Sequence, residues 1–113
     1  MDVRVLIVED CPNGDAAVAL ARQALDDVGL PDVAVQTRLV TTREEAAELA
    51  FTGSPTILLN GRDPFAPPRA TPALACRIYR TSTGTAGVPD IALLREAVRA
   101  ATGVDGAGGP PVP

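Results

Sequence analysis

Residues 3–8 read VRVLIV, an apolar run broken only by Arg4, and EDCPNGD follows at once. A run of that length bounded by turn residues is a strand covered on both faces. Beyond the turn, Ala17, Leu20, Ala21, Ala24, Leu25 and Val28 recur at spacings of three and four, which is one face of a helix. Gly29 stops that helix and Pro31 prevents its resumption. Val33, Val35, Thr37 and Leu39 then alternate as a second strand. A right-handed crossover makes two strands joined in this way parallel.

The rest of the chain extends the alternation. Thr42 and Glu45 fit a capping box for a short helix carrying Ala46, Ala47, Leu49 and Ala50. Residues 56–59 form a third strand that ends at Asn60 and Gly61, a turn signal. The segment 61–75 carries four prolines and is expected to be irregular. Residues 77–81, RIYRT, alternate as a fourth strand, with Arg77 and Tyr79 on one face and Ile78 on the other. Pro89 begins a last helix with Ile91, Leu94, Ala97, Val98 and Ala101 on one side, and Gly103 stops it. The order β-α-β-α-β-β-α predicts an α/β fold: a four-stranded mixed sheet flanked by helices, its last two strands antiparallel. One domain over 1–103 is expected, followed by a Gly/Pro-rich disordered tail over 104–113. Aromatic residues are only 3 % and Trp is absent, so the core is aliphatic.

Charge and composition narrow the function. A net charge of -4 argues against a nucleic-acid partner, because an acidic domain of this size is a poor match for a phosphate backbone. No stretch reaches the roughly 18 apolar residues of a membrane span. No cleavable leader is visible at the N-terminus. Cytoplasmic residence is therefore expected, where Cys11 and Cys76 would be reduced thiols or a transient bridge. Histidine is absent, which removes Cys-His and Ser-His nucleophile pairs and imidazole-built zinc sites. The glycines of GTAGVP and DGAGG lack phosphate-loop spacing. No metal site and no cofactor is assigned, and the oligomeric state is open.

Cys11 has two readings. With a helix starting at Pro12, unpaired amides and the positive end of the helix dipole face its sulfur and favour the nucleophilic thiolate. Glu9, Asp10 and Asp15 oppose this by repulsion. The other reading is a small residue at an ordinary turn.

The element order, DCPNG at the first strand–helix junction and GSPT before the third strand resemble the thioredoxin-like superfamily. GSPTILLNGRDPF followed by LACRIY is similar to small actinobacterial thioredoxin-like proteins, sometimes labelled alkylmercury-lyase relatives. The resemblance implies a thiol-disulfide oxidoreductase-like chemistry with Cys11 as nucleophile. It implies a cis-proline at Pro55, with Ser54, Pro55 and Thr56 positioning a protein or small-molecule thiol or disulfide substrate beside Cys11 and Pro12. Where Cys-x-x-Cys carries its second thiol, this chain has Gly14. Resolution then falls to Cys76 or to another molecule. Arg77 is a candidate to stabilise a thiolate and Tyr79 to donate a proton. Two other readings stay open: a soft-metal or organomercurial site using Cys11, Cys76 and Asp10, and a non-catalytic adaptor. Arg62, Arg69, Arg77 and Arg80 read as a solvated loop face.

Overall fold

The computed structural model describes residues 1–66, 72, 74–75, 77–81 and 84–103. Its elements run β1 (Val3–Ile7), α1 (Gly14–Val28), β2 (Val35–Leu39), α2 (Arg43–Glu48), β3 (Thr56–Leu59), β4 (Tyr79–Thr81), β5 (Gly84–Ala86) and α3 (Ile91–Thr102). The architecture is mixed α/β. β1 is the middle strand of a three-stranded sheet ordered β2-β1-β3, parallel to β2 and antiparallel to β3.

The registers explain which side chains are covered. Val3 pairs with Val35 and Leu59, and Val5 with Thr37 and Ile57, so these side chains share one face. There α1 presents Ala17, Ala21, Ala24 and Leu25, and α3 presents Leu94 and Val98. The small residues on α1 let it approach the sheet closely. Leu6 and Leu58 point to the opposite face, where α2 contributes Ala46 and the following turn contributes Phe51. Helices therefore cover both faces. A fully buried aliphatic side chain such as Leu25 or Leu94 stabilises by about 1.5–3 kcal/mol.

Local signals set the boundaries. Gly29 and Gly103 end α1 and α3 in the left-handed region, at φ 86 and 75. Thr42 caps α2 by accepting from the Glu45 amide at 3.1 Å. The α3 cap is Asp90, which accepts from the Ala92 amide, so this helix begins two residues after Pro89 rather than at it.

The expected fourth strand does not join the sheet among the described residues. Asn60 and Gly61 have φ of 54 and 81, and Leu59 pairs with Arg62 across them. These are the two positive φ values of a type I′ hairpin. Pro64 follows, and a proline has no amide to extend such a ladder. β4 pairs instead with β5, antiparallel, Tyr79 opposite Ala86. β5 has no sequence signal of its own, because GTA is too short to show alternation. The tail over 104–113 lies outside the described residues. No helix is long and apolar enough to cross a membrane among the described residues.

Candidate functional site

Cys11 sits between two consecutive turns at the carboxyl end of β1. Its amide donates to the Val8 carbonyl at 3.3 Å, closing the first turn, in which Asp10 has φ 59. A positive φ at the third position is what a type II turn requires, and Asp tolerates it better than most residues. The Cys11 carbonyl then accepts from the Gly14 amide at 3.3 Å, closing the second. Pro12 occupies the second position there, for which its ring is preset, and Asn13 the third with φ -105 and ψ 5.

The helix therefore starts later than the sequence suggests. Asn13 is the N-cap and Gly14 the first helical residue, so Cys11 lies two residues ahead of the cap. The Asn13 side chain makes no capping bond. It packs against Gly87, where an added Cβ would lie 2.2 Å from Asn13 Nδ2. The segment after β5 thus closes over the start of α1. Cys11 is a free, half-exposed thiol, and Pro12 is exposed.

The Ser54-Pro55 peptide bond is cis. The Ser54 hydroxyl accepts from the Val8 amide at 3.1 Å, and the Val8 carbonyl accepts from Cys11. Two hydrogen bonds through one residue thus tie the proline loop to the thiol's turn. The polar atoms of Ser54 are nevertheless occupied. Its amide donates to the Ala75 carbonyl at 2.7 Å and its carbonyl accepts from the Arg77 amide at 2.9 Å. The chain's own segment fills the pairing that an extended substrate was expected to make. Ser54, Pro55 and Thr56 are all fully buried.

Arg77 also differs from expectation. Its side chain is 7 % exposed and that of Asp63 is 6 % exposed, with Nη1 2.5 Å from the Asp63 carboxylate. Nη2 donates to the Phe65 carbonyl at 2.6 Å, and Nη1 reaches the Thr52 and Thr56 hydroxyls at 3.3 and 3.4 Å. The guanidinium lies over the Tyr79 ring, 4.4 Å from its centroid, and Phe65 meets that ring edge-on at 5.8 Å. This cluster clamps residues 63–65 and 77–79 onto the start of β3. It commits both terminal nitrogens of Arg77 to partners within the cluster. The Thr56 hydroxyl donates to the Gly53 carbonyl at 2.6 Å, so Thr56 is a packing residue. Tyr79 donates to the Pro55 carbonyl. Burial pushes its phenol well above the ordinary tyrosine range, against the opposing pull of Arg77, so it is a poor proton donor.

The structure thus joins Cys11 and Ser54 through Val8, leaves Pro12 exposed, and places Thr56, Pro55 and Arg77 in a buried cluster. Arg77 belongs to that cluster rather than to a solvated face, whereas Arg62 and Arg80 are exposed and Arg69 lies outside the described residues. Asp63, the partner of Arg77, had no local signal, because an ion pair 14 residues apart in an irregular segment follows no period. Cys76 lies outside the described residues, and with it the resolving-thiol and two-thiol metal expectations. Among the described residues no group of three His, Cys, Asp or Glu side chains could hold a metal ion. No protein family, curated protein or solved structure matches the chain.

Proposed function

We propose that the chain is a thioredoxin-like thiol protein that exchanges disulfides through Cys11. The observation that carries this reading is the placement of a free, half-exposed thiol between two turns at the carboxyl end of β1. In open α/β sheets that end is where ligands bind. The cis Ser54-Pro55 bond, tied to the same turn through Val8, supports it.

The chemistry is monothiol. The Cys11 thiolate attacks one sulfur of a substrate disulfide, forming a mixed disulfide while the substrate S–S bond breaks. The departing half leaves as a thiolate and takes a proton from solvent. A second thiol, from another molecule or from Cys76, then attacks the mixed disulfide and restores Cys11. Gly14 cannot supply that step.

The test is the second-order rate of mixed-disulfide formation with an aromatic disulfide reagent, read by mass spectrometry. Cys76→Ser should react at the parent rate and Cys11→Ser should lose the adduct at residue 11. A Cys11 slower than free cysteine in solution would overturn the reading. The capture of the Ser54 backbone by residues 75 and 77 favours a second reading, a thioredoxin-fold adaptor without catalysis. In that case Cys11→Ser leaves partner binding intact.

A further inference from the structure

β2 is an outer strand of the β2-β1-β3 sheet, and among the described residues no strand pairs with its free edge. Its five residues, VQTRL, begin with half-buried Val35, and the other four side chains are exposed. Leu39 keeps 49 % of its surface in solvent. The opposite outer strand, β3, is occupied at both ends. Ser54, just before it, pairs with residues 75 and 77, and Leu59 pairs with Arg62. Edge strands are commonly blunted by a proline, a bulge or a charge on the edge. β2 has no proline or glycine, and its one charge, Arg38, lies 3.4 Å from the Glu45 carboxylate of α2.

One hydrogen bond fixes which backbone groups face that free edge. The Val40 amide donates to the Ile7 carbonyl at 2.8 Å, so Val40 faces β1. Successive residues of a strand turn their amide and carbonyl to opposite edges. Gln36 and Arg38 therefore also face β1, while Val35, Thr37 and Leu39 face outward. The strand is also complementary to itself. Antiparallel pairing about a two-fold axis at Thr37 sets Thr37 opposite Thr37, Val35 opposite Leu39, and Gln36 opposite Arg38. Apolar pairs and Thr–Thr pairs are favourable cross-strand neighbours, and like charges directly opposite are not. An axis at Arg38 would set two guanidinium groups face to face. An axis at Gln36 would leave Arg38 and Leu39 opposite residues 34 and 33, outside the strand.

We propose that β2 pairs antiparallel with β2 of a second copy of this chain, joining the two sheets into one across a two-fold dimer. The outward-facing residues 35, 37 and 39 form the hydrogen-bonded pairs, each exchanging two main-chain bonds. Leu39 is covered by Val35 of the second copy. The interface is isologous, so one strand supplies both of its halves. Arg38 keeps its ion pair with Glu45, because both lie on the α2 face of the sheet.

The test is the mass in solution, by analytical ultracentrifugation under reducing conditions so that no disulfide links the copies. The parent chain should sediment at twice the chain mass. Thr37→Arg and Thr37→Glu each set like charges face to face on the axis. Each variant should halve the sedimenting mass with its circular-dichroism spectrum unchanged, and an equimolar mixture of the two should regain the dimer mass. Amide exchange gives a second reading that needs no variant. In the parent, the amides of Val35, Thr37 and Leu39 should be protected at high concentration and lose that protection on dilution. Those of Gln36 and Arg38, bonded to β1, should stay protected at both. A parent that is monomeric even at millimolar concentration overturns the proposal. So does a dimer that survives Thr37→Arg, a mixture that stays monomeric, or a dimer whose amides at 35, 37 and 39 exchange freely.

Discussion

A side chain built on Gly14 would place its Cβ 3.9 Å from the Cβ of Cys11. Disulfides hold their Cβ atoms about 3.5–4.5 Å apart. The backbone of residues 11–14 therefore keeps the spacing of a two-thiol motif although one thiol is missing. Gly14→Cys in a Cys76→Ser background should form an internal disulfide on mild oxidation, read as a loss of two mass units and of all free thiol. The Ile7 side chain, 3.3 Å from the new Cβ, must yield slightly. Two free thiols after oxidation would show that the turn geometry is different.

Arg77 and Asp63 test the clamp. Truncating one member of a buried ion pair leaves the other charge desolvated and costs about 3–5 kcal/mol. Arg77→Met should lower stability by that amount in urea unfolding, and Arg77→Met with Asp63→Leu should recover a large part of it. A single variant within about 0.5 kcal/mol of the parent would mean that the pair is solvated.

Tyr79 predicts an alkaline limit to stability. It is the chain's only tyrosine, and there is no lysine to titrate beside it. The folded phenol holds its proton more tightly than the unfolded one, whose ordinary value is 10.0. Below that value the phenol is protonated in both states and adds no pH dependence of its own. Above it the unfolded state loses protons first, so stability falls with rising pH by up to about 1.4 kcal/mol per unit. Phenolate absorbance should appear only as the protein unfolds, and Tyr79→Phe should remove this slope. Phenolate forming near pH 10 in the folded protein would contradict the burial of this side chain.

Two glycines with positive φ separate close packing from backbone conformation. At Gly53, φ is 140 and a Cβ would lie 2.8 Å from the Cβ of Arg77. At Gly61, φ is 81 and nothing lies within 4 Å. Gly61→Ala should cost about 1–2 kcal/mol, the left-handed penalty alone. Gly53→Ala should exceed it by at least about 1 kcal/mol through overpacking. Equal midpoints in urea would show that the 53–55 turn and residue 77 do not approach so closely.

Much of this architecture is legible in the residues, for identifiable reasons. The α1 face at Ala17, Ala21, Ala24 and Leu25, the Thr42 cap and the stops at Gly29 and Gly103 are all local effects that depend on neighbours in the chain. The start of α1 was harder to read. Pro12 suits a first helical position and also the second position of a type I turn, and the sequence does not distinguish them. The candidate site was less legible than the fold, because Ser54, Thr56 and Arg77 have residue types that suit substrate binding equally well as buried packing.

The sequence by itself determined a strand–helix–strand opening, a chain without imidazole chemistry and a cysteine at the first turn, since these follow from period, composition and turn chemistry. Only the tertiary structure decided that, among the described residues, β4 pairs with β5 rather than with β3. It alone placed Arg77 against Asp63 and put residues 75 and 77 on Ser54. The ion pair and the Ser54 contacts join residues distant in the chain through hydrogen bonds and burial. Such contacts are fixed by the packing of the whole molecule and leave no mark in local spacing.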